Sequence, residues 1–92
     1  MTTSIGIGTR TVTVRYFAAA KAAAGTSEET VELPTESTLD DVLGALRAGH
    51  GPELTLVLQR CSFLVDEVAA RRQDLPLGEA STVDVLPPFA GG

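Results

Sequence analysis

The 92-residue sequence predicts an α+β domain in which a small mixed sheet packs on one main helix. Two observations carry that expectation. Short segments near both ends alternate apolar and polar residues, and one longer central stretch repeats its apolar residues at helical spacing. The order of these pieces, strand–turn–strand, helix, then strand–strand–loop–strand, needs only one helical layer on one sheet. A chain of this length makes one domain and buries roughly 60–65% of the surface its unfolded form exposes. Its 43% hydrophobic content is too high for a disordered chain.

Met1 to Arg10 holds only two isoleucines among Thr, Ser and Gly, too little for a signal peptide or a membrane span, and reads as a loose arm. From Thr11 the pattern alternates strictly, with Val12, Val14 and Tyr16 on one face and Thr11, Thr13 and Arg15 on the other, which predicts a half-buried strand. Phe17 to Ala24 is an alanine-rich helical turn closed by Gly25, a residue suited to a left-handed cap. Glu28 to Leu33 alternates again with Val31 and Leu33 inward, and Pro34 ends it for want of an amide.

Ser37 or Thr38 caps the main helix, with Asp40 and Asp41 near its positive end and Leu39, Val42, Leu43 and Leu46 as the buried stripe. Gly49-His50-Gly51-Pro52 stops it. Leu54, Leu56, Val57 and Leu58 suggest a second short helix, although a strand has the same apolar density. Cys61 to Val65 reads as an apolar strand, Asp66-Glu67 as a turn and Val68 to Ala70 as a short return. Gln73 to Ser81, with Pro76 and Gly78, is a loop, and Val83 to Leu86 is the last strand. The body therefore spans residues 11–86. The first and last strands are expected to pair in parallel at the centre, since the long helix supplies the crossover that such a pair needs.

The inventory of reactive groups is poor. Cys61 is the single cysteine, which excludes an internal disulfide, a four-thiolate zinc site and a cysteine-ligated cluster, and fits a reducing, cytoplasmic compartment. A net charge of −5 with Lys21 as the single lysine disfavours a nucleic-acid partner. His50, the single histidine, reads as a solvated residue at the negative end of the main helix and has no co-ligand for a metal. Cys61 reads as a small buried hydrophobe. Adjacent side chains on helices and strands diverge, so Glu28-Glu29, Asp40-Asp41 and Asp66-Glu67 read as solvated acids. No glycine-rich phosphate loop is present, and no bound cofactor or metal is expected.

The C-terminal six residues, Pro87, Pro88, Phe89, Ala90, Gly91 and Gly92, suit neither a packed helix nor a central strand and read as a projecting tail. Gly91-Gly92 lacks Cβ atoms beside the terminal carboxylate, so the tip can enter a narrow slot. Six residues at no more than ~3.6 Å each reach about 20 Å, far enough to thread into another protein's cavity. Pro87-Pro88 stiffens the exit, and Phe89 offers an apolar anchor.

Val14-Arg15-Tyr16-Phe17-Ala18 with Lys21 and Gly25, the cap at Thr38-Leu39-Asp40-Asp41-Val42-Leu43, and Leu86-Pro87-Pro88-Phe89-Ala90-Gly91-Gly92 together resemble the MoaD/ThiS family. These are ubiquitin-like β-grasp sulfur carriers, among them the small subunits of molybdopterin synthases. The resemblance spans Thr11 to Gly92. It departs from the family's pattern at Asp66-Glu67, where an Asn-containing turn is common, and at Leu77-Gly78-Glu79-Ala80-Ser81, where Leu-x-Asp-Gly-Asp is favoured.

The resemblance implies a β-grasp fold and a carrier that is not catalytic alone. A ubiquitin-activating-like adenylyltransferase would use ATP to adenylate the Gly92 carboxylate, and a persulfide sulfur donor would convert it to a thiocarboxylate. The tail would then deliver sulfur to a pterin precursor in the active site of a molybdopterin synthase large subunit, in a hetero-oligomer. Phe17 and Leu86 match the family's partner-binding face. A carrier for cysteine or thiamine biosynthesis, or a ubiquitin-like protein modifier, would share the same tail chemistry.

Overall fold

Strict alternation in the first strand divides the molecule into a covered side and an open side. The computed structural model describes residues 8–88. Strand β1 (Thr9–Tyr16) leads to helix α1 (Ala18–Ala24) and strand β2 (Glu28–Pro34). Helices α2 (Leu39–Gly49) and α3 (Pro52–Leu58) follow, and then strands β3 (Ser62–Val65), β4 (Val68–Ala69) and β5 (Thr82–Leu86). The sheet order is β2-β1-β5-β3-β4, with β1 and β5 parallel at the centre and every other pair antiparallel. This is the mixed β-grasp sheet expected from the order of elements.

The covered side holds the core. Val12, Val14, Tyr16, Leu33, Phe63, Val83 and Val85 of the sheet meet Ala20, Leu39, Val42, Leu43, Leu46, Leu54 and Leu58 of the helices. Leu77, from the long loop, joins them, while Val31 and Val65, both expected inside, are only partly buried against this cluster.

Several boundaries differ from expectation, each for a local reason. β1 starts at Thr9, because Thr9 and Arg10 pair with Pro34 and Leu33, and the Arg10 guanidinium donates to the Gly78 carbonyl. Those two residues belong to the sheet, the Gly8 carbonyl before them accepts from the Thr35 amide at 3.0 Å, and residues 1–7 of the expected arm lie outside the described residues. Thr38 is the cap of α2: its hydroxyl accepts from the Asp41 amide while the Asp41 carboxylate accepts from the Thr38 amide at 2.8 Å, a reciprocal capping box. Pro52 at the start of α3 and the four-residue spacing of buried Leu54 and Leu58 decide that segment for helix. Cys61 is not the start of a strand, since its amide donates to the Leu58 carbonyl and so closes α3. Gly25 caps α1 at φ 80°, as expected of a glycine there.

Candidate functional site

The C-terminal end of β5 emerges beside the C-terminal end of β1, since Tyr16 and Val85 are the last registered pair of the parallel strands. Phe17 lies one step beyond that pair, and its amide donates to the Val85 carbonyl at 3.3 Å. Alternation places Phe17 and Leu86 side by side on the open face of the two central strands. Phe17 is 42% exposed, large for an aromatic residue in so small a domain, and Leu86 is half-buried. Ala18 at φ 51° turns the chain sharply off β1 into α1, which leaves Phe17 standing at the corner. Pro87, expected to project with the tail, is instead buried against the body, and Pro88 is exposed. Phe89, Ala90, Gly91 and Gly92 lie outside the described residues.

The open face also carries an ion pair that sequence reasoning missed. Arg15 and Asp84 are register partners on β1 and β5, and Arg15 donates from Nε at 2.6 Å and from Nη2 at 2.9 Å to the two Asp84 oxygens. The Asp84 carboxylate, first as a hydrogen-bond acceptor and then as a charge, raises the Arg15 pKa above its ordinary value. A signal existed in Val83-Asp84-Val85, an acid at the middle of an apolar strand, which needs a partner if it is covered. Beside this pair, a groove of about 420 Å³ is lined by Arg15, Phe17, Lys21 and Glu28 among others.

Two expectations about polar residues are corrected. His50 is not solvated at the end of α2: its Nε2 lies 2.5 Å from Glu29 Oε2, and its ring meets Tyr16 edge-on with centroids 6.1 Å apart. Glu29 is not a free surface acid either, since it also accepts from the Tyr16 hydroxyl at 2.5 Å. Burial first, and the bond to Glu29 second, push the Tyr16 phenol far above its ordinary range. The cluster ties the α2–α3 junction to edge strand β2. One member of each of the other two adjacent pairs also has a structural task. Asp41 closes the capping box, and Asp66 accepts from the amides of Ser81 and Thr82, both at 2.9 Å, which holds its carboxyl below the usual range.

None of this makes an activated nucleophile. The Cys61 thiol donates to the Val57 carbonyl at 3.2 Å, and burial pushes its pKa up, away from the reactive thiolate. Among the described residues no group of three or more His, Cys, Asp or Glu is placed to hold a metal ion, and no helix is long and apolar enough to cross a membrane. A second groove, about 360 Å³ and lined by Leu39, Val65, Val68, Leu75 and Leu77 among others, lies at the opposite end of the sheet from the β5 exit. What the geometry offers is an apolar platform at the foot of the C-terminal segment, stiffened by a buried proline.

Comparison with known proteins adds four findings. The sequence profile of the ThiS family matches residues 14–92. A molybdopterin synthase sulfur carrier subunit from Chlamydomonas reinhardtii is 34% identical over 82 residues, which is 88% of this chain and 98% of the relative. Among solved structures, SAMP1 from Haloferax volcanii superposes with a TM-score of 0.78 at 23% identity, covering 90% of this chain and all of that one. A protein–protein complex of subunits 1 and 2 of the molybdopterin-converting factor from Helicobacter pylori includes a chain that matches with a TM-score of 0.66 at 19% identity, covering 90% of this chain and 100% of that one. At those identities the two structures speak to the fold.

Proposed function

This chain belongs to the ThiS family, and on that premise we propose that it is a sulfur carrier, the small subunit of a molybdopterin synthase, with the Gly92 carboxylate as its working group. The observation that carries the reading is the family match running through Gly92, on a chain whose described residues include no activated nucleophile and whose last strand sits at the centre of the sheet. The name of the Chlamydomonas relative supplies the pathway.

The chemistry follows from the end group. A carboxylate is a poor electrophile, so a separate adenylyltransferase uses ATP to turn Gly92 into an acyl adenylate with a good leaving group. The outer sulfur of a persulfide donor then displaces AMP to give an acyl disulfide, and a thiol cleaves its S–S bond, releasing the thiocarboxylate, a soft nucleophile, and leaving the donor as a disulfide. On this reading the chain itself holds no cofactor, and ATP is used by its activating partner. The two terminal glycines let the acyl group pass a narrow entrance, and the buried Pro87 fixes where the arm leaves the body. The large subunit supplies the catalytic groups and receives the tail, in keeping with the two-subunit assembly in the Helicobacter pylori structure. Phe17 and Leu86 provide the docking platform.

Reconstitution tests this reading. The chain, adenylyltransferase, ATP, persulfide donor, a thiol reductant, large subunit and pterin precursor together should yield the dithiolene product, and deletion of Gly91-Gly92 should abolish it. Product formation by the truncated chain contradicts the reading, as does sulfur transfer to a cysteine or thiamine precursor only. Stable higher-mass conjugates to target lysines in place of the thiocarboxylate would assign the chain to protein modification instead.

A further inference from the structure

Asp84 occupies the centre of the open face. Arg15 is its register partner on β1 and Leu64 its register partner on β3, while Phe17 lies two residues beyond Arg15 and Leu86 two residues beyond Asp84. Both Asp84 oxygens are taken by Arg15, and the residue is 5% exposed, whereas the Arg15 side chain is 36% exposed. The guanidinium therefore covers the carboxylate and itself faces outward. Of its five N–H groups two reach Asp84, and Glu67 stands 3.9 Å away, too far for a hydrogen bond.

Among the described residues the other three donors meet no acceptor, and while the face is open they are left to water. A protein that covers Phe17 and Leu86 removes that water, and unless it brings acceptors it leaves a desolvated cation with unpaired donors. A carboxylate is a poor replacement, because Asp84, Glu67 and Glu28 already outnumber Arg15 and Lys21 around this spot. A neutral carbonyl oxygen meets both requirements.

We propose that Arg15, with Asp84 as its positioning residue, determines which partner docks on this face: it admits a large subunit that sets neutral carbonyl oxygens over the guanidinium within an apolar surround, and rejects one that offers hydrocarbon or a carboxylate there. The inference rests on the sulfur-carrier reading above and adds to it the chemistry by which the large subunit is selected.

The test is titration calorimetry of the chain with the large subunit from the same source, at low and high salt, alongside thermal melts. Arg15→Met combined with Asp84→Leu removes both charges at once, so neither is left buried alone. It should melt close to the unaltered chain and bind about tenfold or more weakly. Asp84→Asn, which keeps the shape and loosens the grip on Arg15, should weaken binding by less. Affinity of the unaltered chain should change little with salt, because the contact is to a neutral oxygen. Equal or tighter binding by the double variant overturns the proposal, and so does a steep loss of affinity with salt. Should the double variant not fold, Asp84→Asn and the salt series decide in the same way, unchanged binding by Asp84→Asn counting against the proposal. Failure of the unaltered chain to bind the large subunit overturns the sulfur-carrier reading itself, whereas normal binding that ignores these substitutions overturns this inference alone.

Discussion

Tyr16 shows how far the fold changes a single side chain. It is 2% exposed, and its hydroxyl donates to Glu29, so ionising it would place a second negative charge in a water-poor site beside a carboxylate. A phenol whose folded pKa lies above its unfolded value of about 10 contributes stability that is complete below that value and is lost as pH rises towards the folded one. Alkaline titration of the single tyrosine, followed by tyrosinate absorbance, should therefore coincide with unfolding. Reversible ionisation of native protein near pH 10 would contradict this. Tyr16→Phe should cost about 1 kcal/mol in denaturant unfolding, the usual worth of one hydrogen bond. The spacing held a signal against reading Glu29 as a solvated acid, since Glu29, Val31 and Leu33 share one face of β2. Its partner was not legible, because His50 arrives from a helix end 21 residues away.

At the scale of elements, helix α2 is fixed by its cap and its stripe. Leu43 is 2% exposed, and Leu43→Ala should destabilise the fold by about 2–5 kcal/mol, read from chemical denaturation. A change under ~0.5 kcal/mol would show that this face is not packed as described. The hairpin between β3 and β4 makes the opposite point. Asp66 and Glu67 both have positive φ, 47° and 70°, as the right-handed twist of a tight two-residue hairpin requires. Asp66 recovers the cost through its bonds to Ser81 and Thr82, whereas Glu67 has only a loose, exposed approach to Arg15. Glu67→Gly should raise stability by up to ~1 kcal/mol, since relief of the left-handed strain exceeds the added chain entropy. A lower denaturation midpoint would contradict it. The turn itself was legible from two acids between apolar runs; its handedness was not, because neither residue is the glycine or asparagine that announces it. Helix α3 was ambiguous for a related reason, as four apolar residues in five fit a buried strand or a short helix until the neighbouring layer is known.

For the molecule as a whole, the order of periodic segments was enough to anticipate a mixed sheet with a parallel central pair, because only the crossover through α2 allows β1 and β5 to run the same way. Less legible was how that topology gathers residues far apart in sequence at one exit: Phe17 beside Leu86, Arg15 on Asp84, and Pro87 buried. These arise from the register of β1 on β5, which apolar spacing alone does not set. On the proposed function, the labour divides between a body that presents a docking face and a C-terminal group that carries the cargo. The most direct test of that division is mass spectrometry of the C-terminal peptide after incubation with the adenylyltransferase, ATP, a persulfide donor and a thiol reductant, for the unaltered chain, Cys61→Ala, Gly91→Val and a chain extended by one residue. The unaltered chain and Cys61→Ala should gain the mass of sulfur in place of oxygen at Gly92. Gly91→Val and the extended chain should stay unloaded though folded, since a branched neighbour blocks the acyl centre and an added residue moves the carboxylate by ~3.5 Å. Loading of the extended chain, or its loss in folded Cys61→Ala, would contradict a carrier that works through its C-terminus.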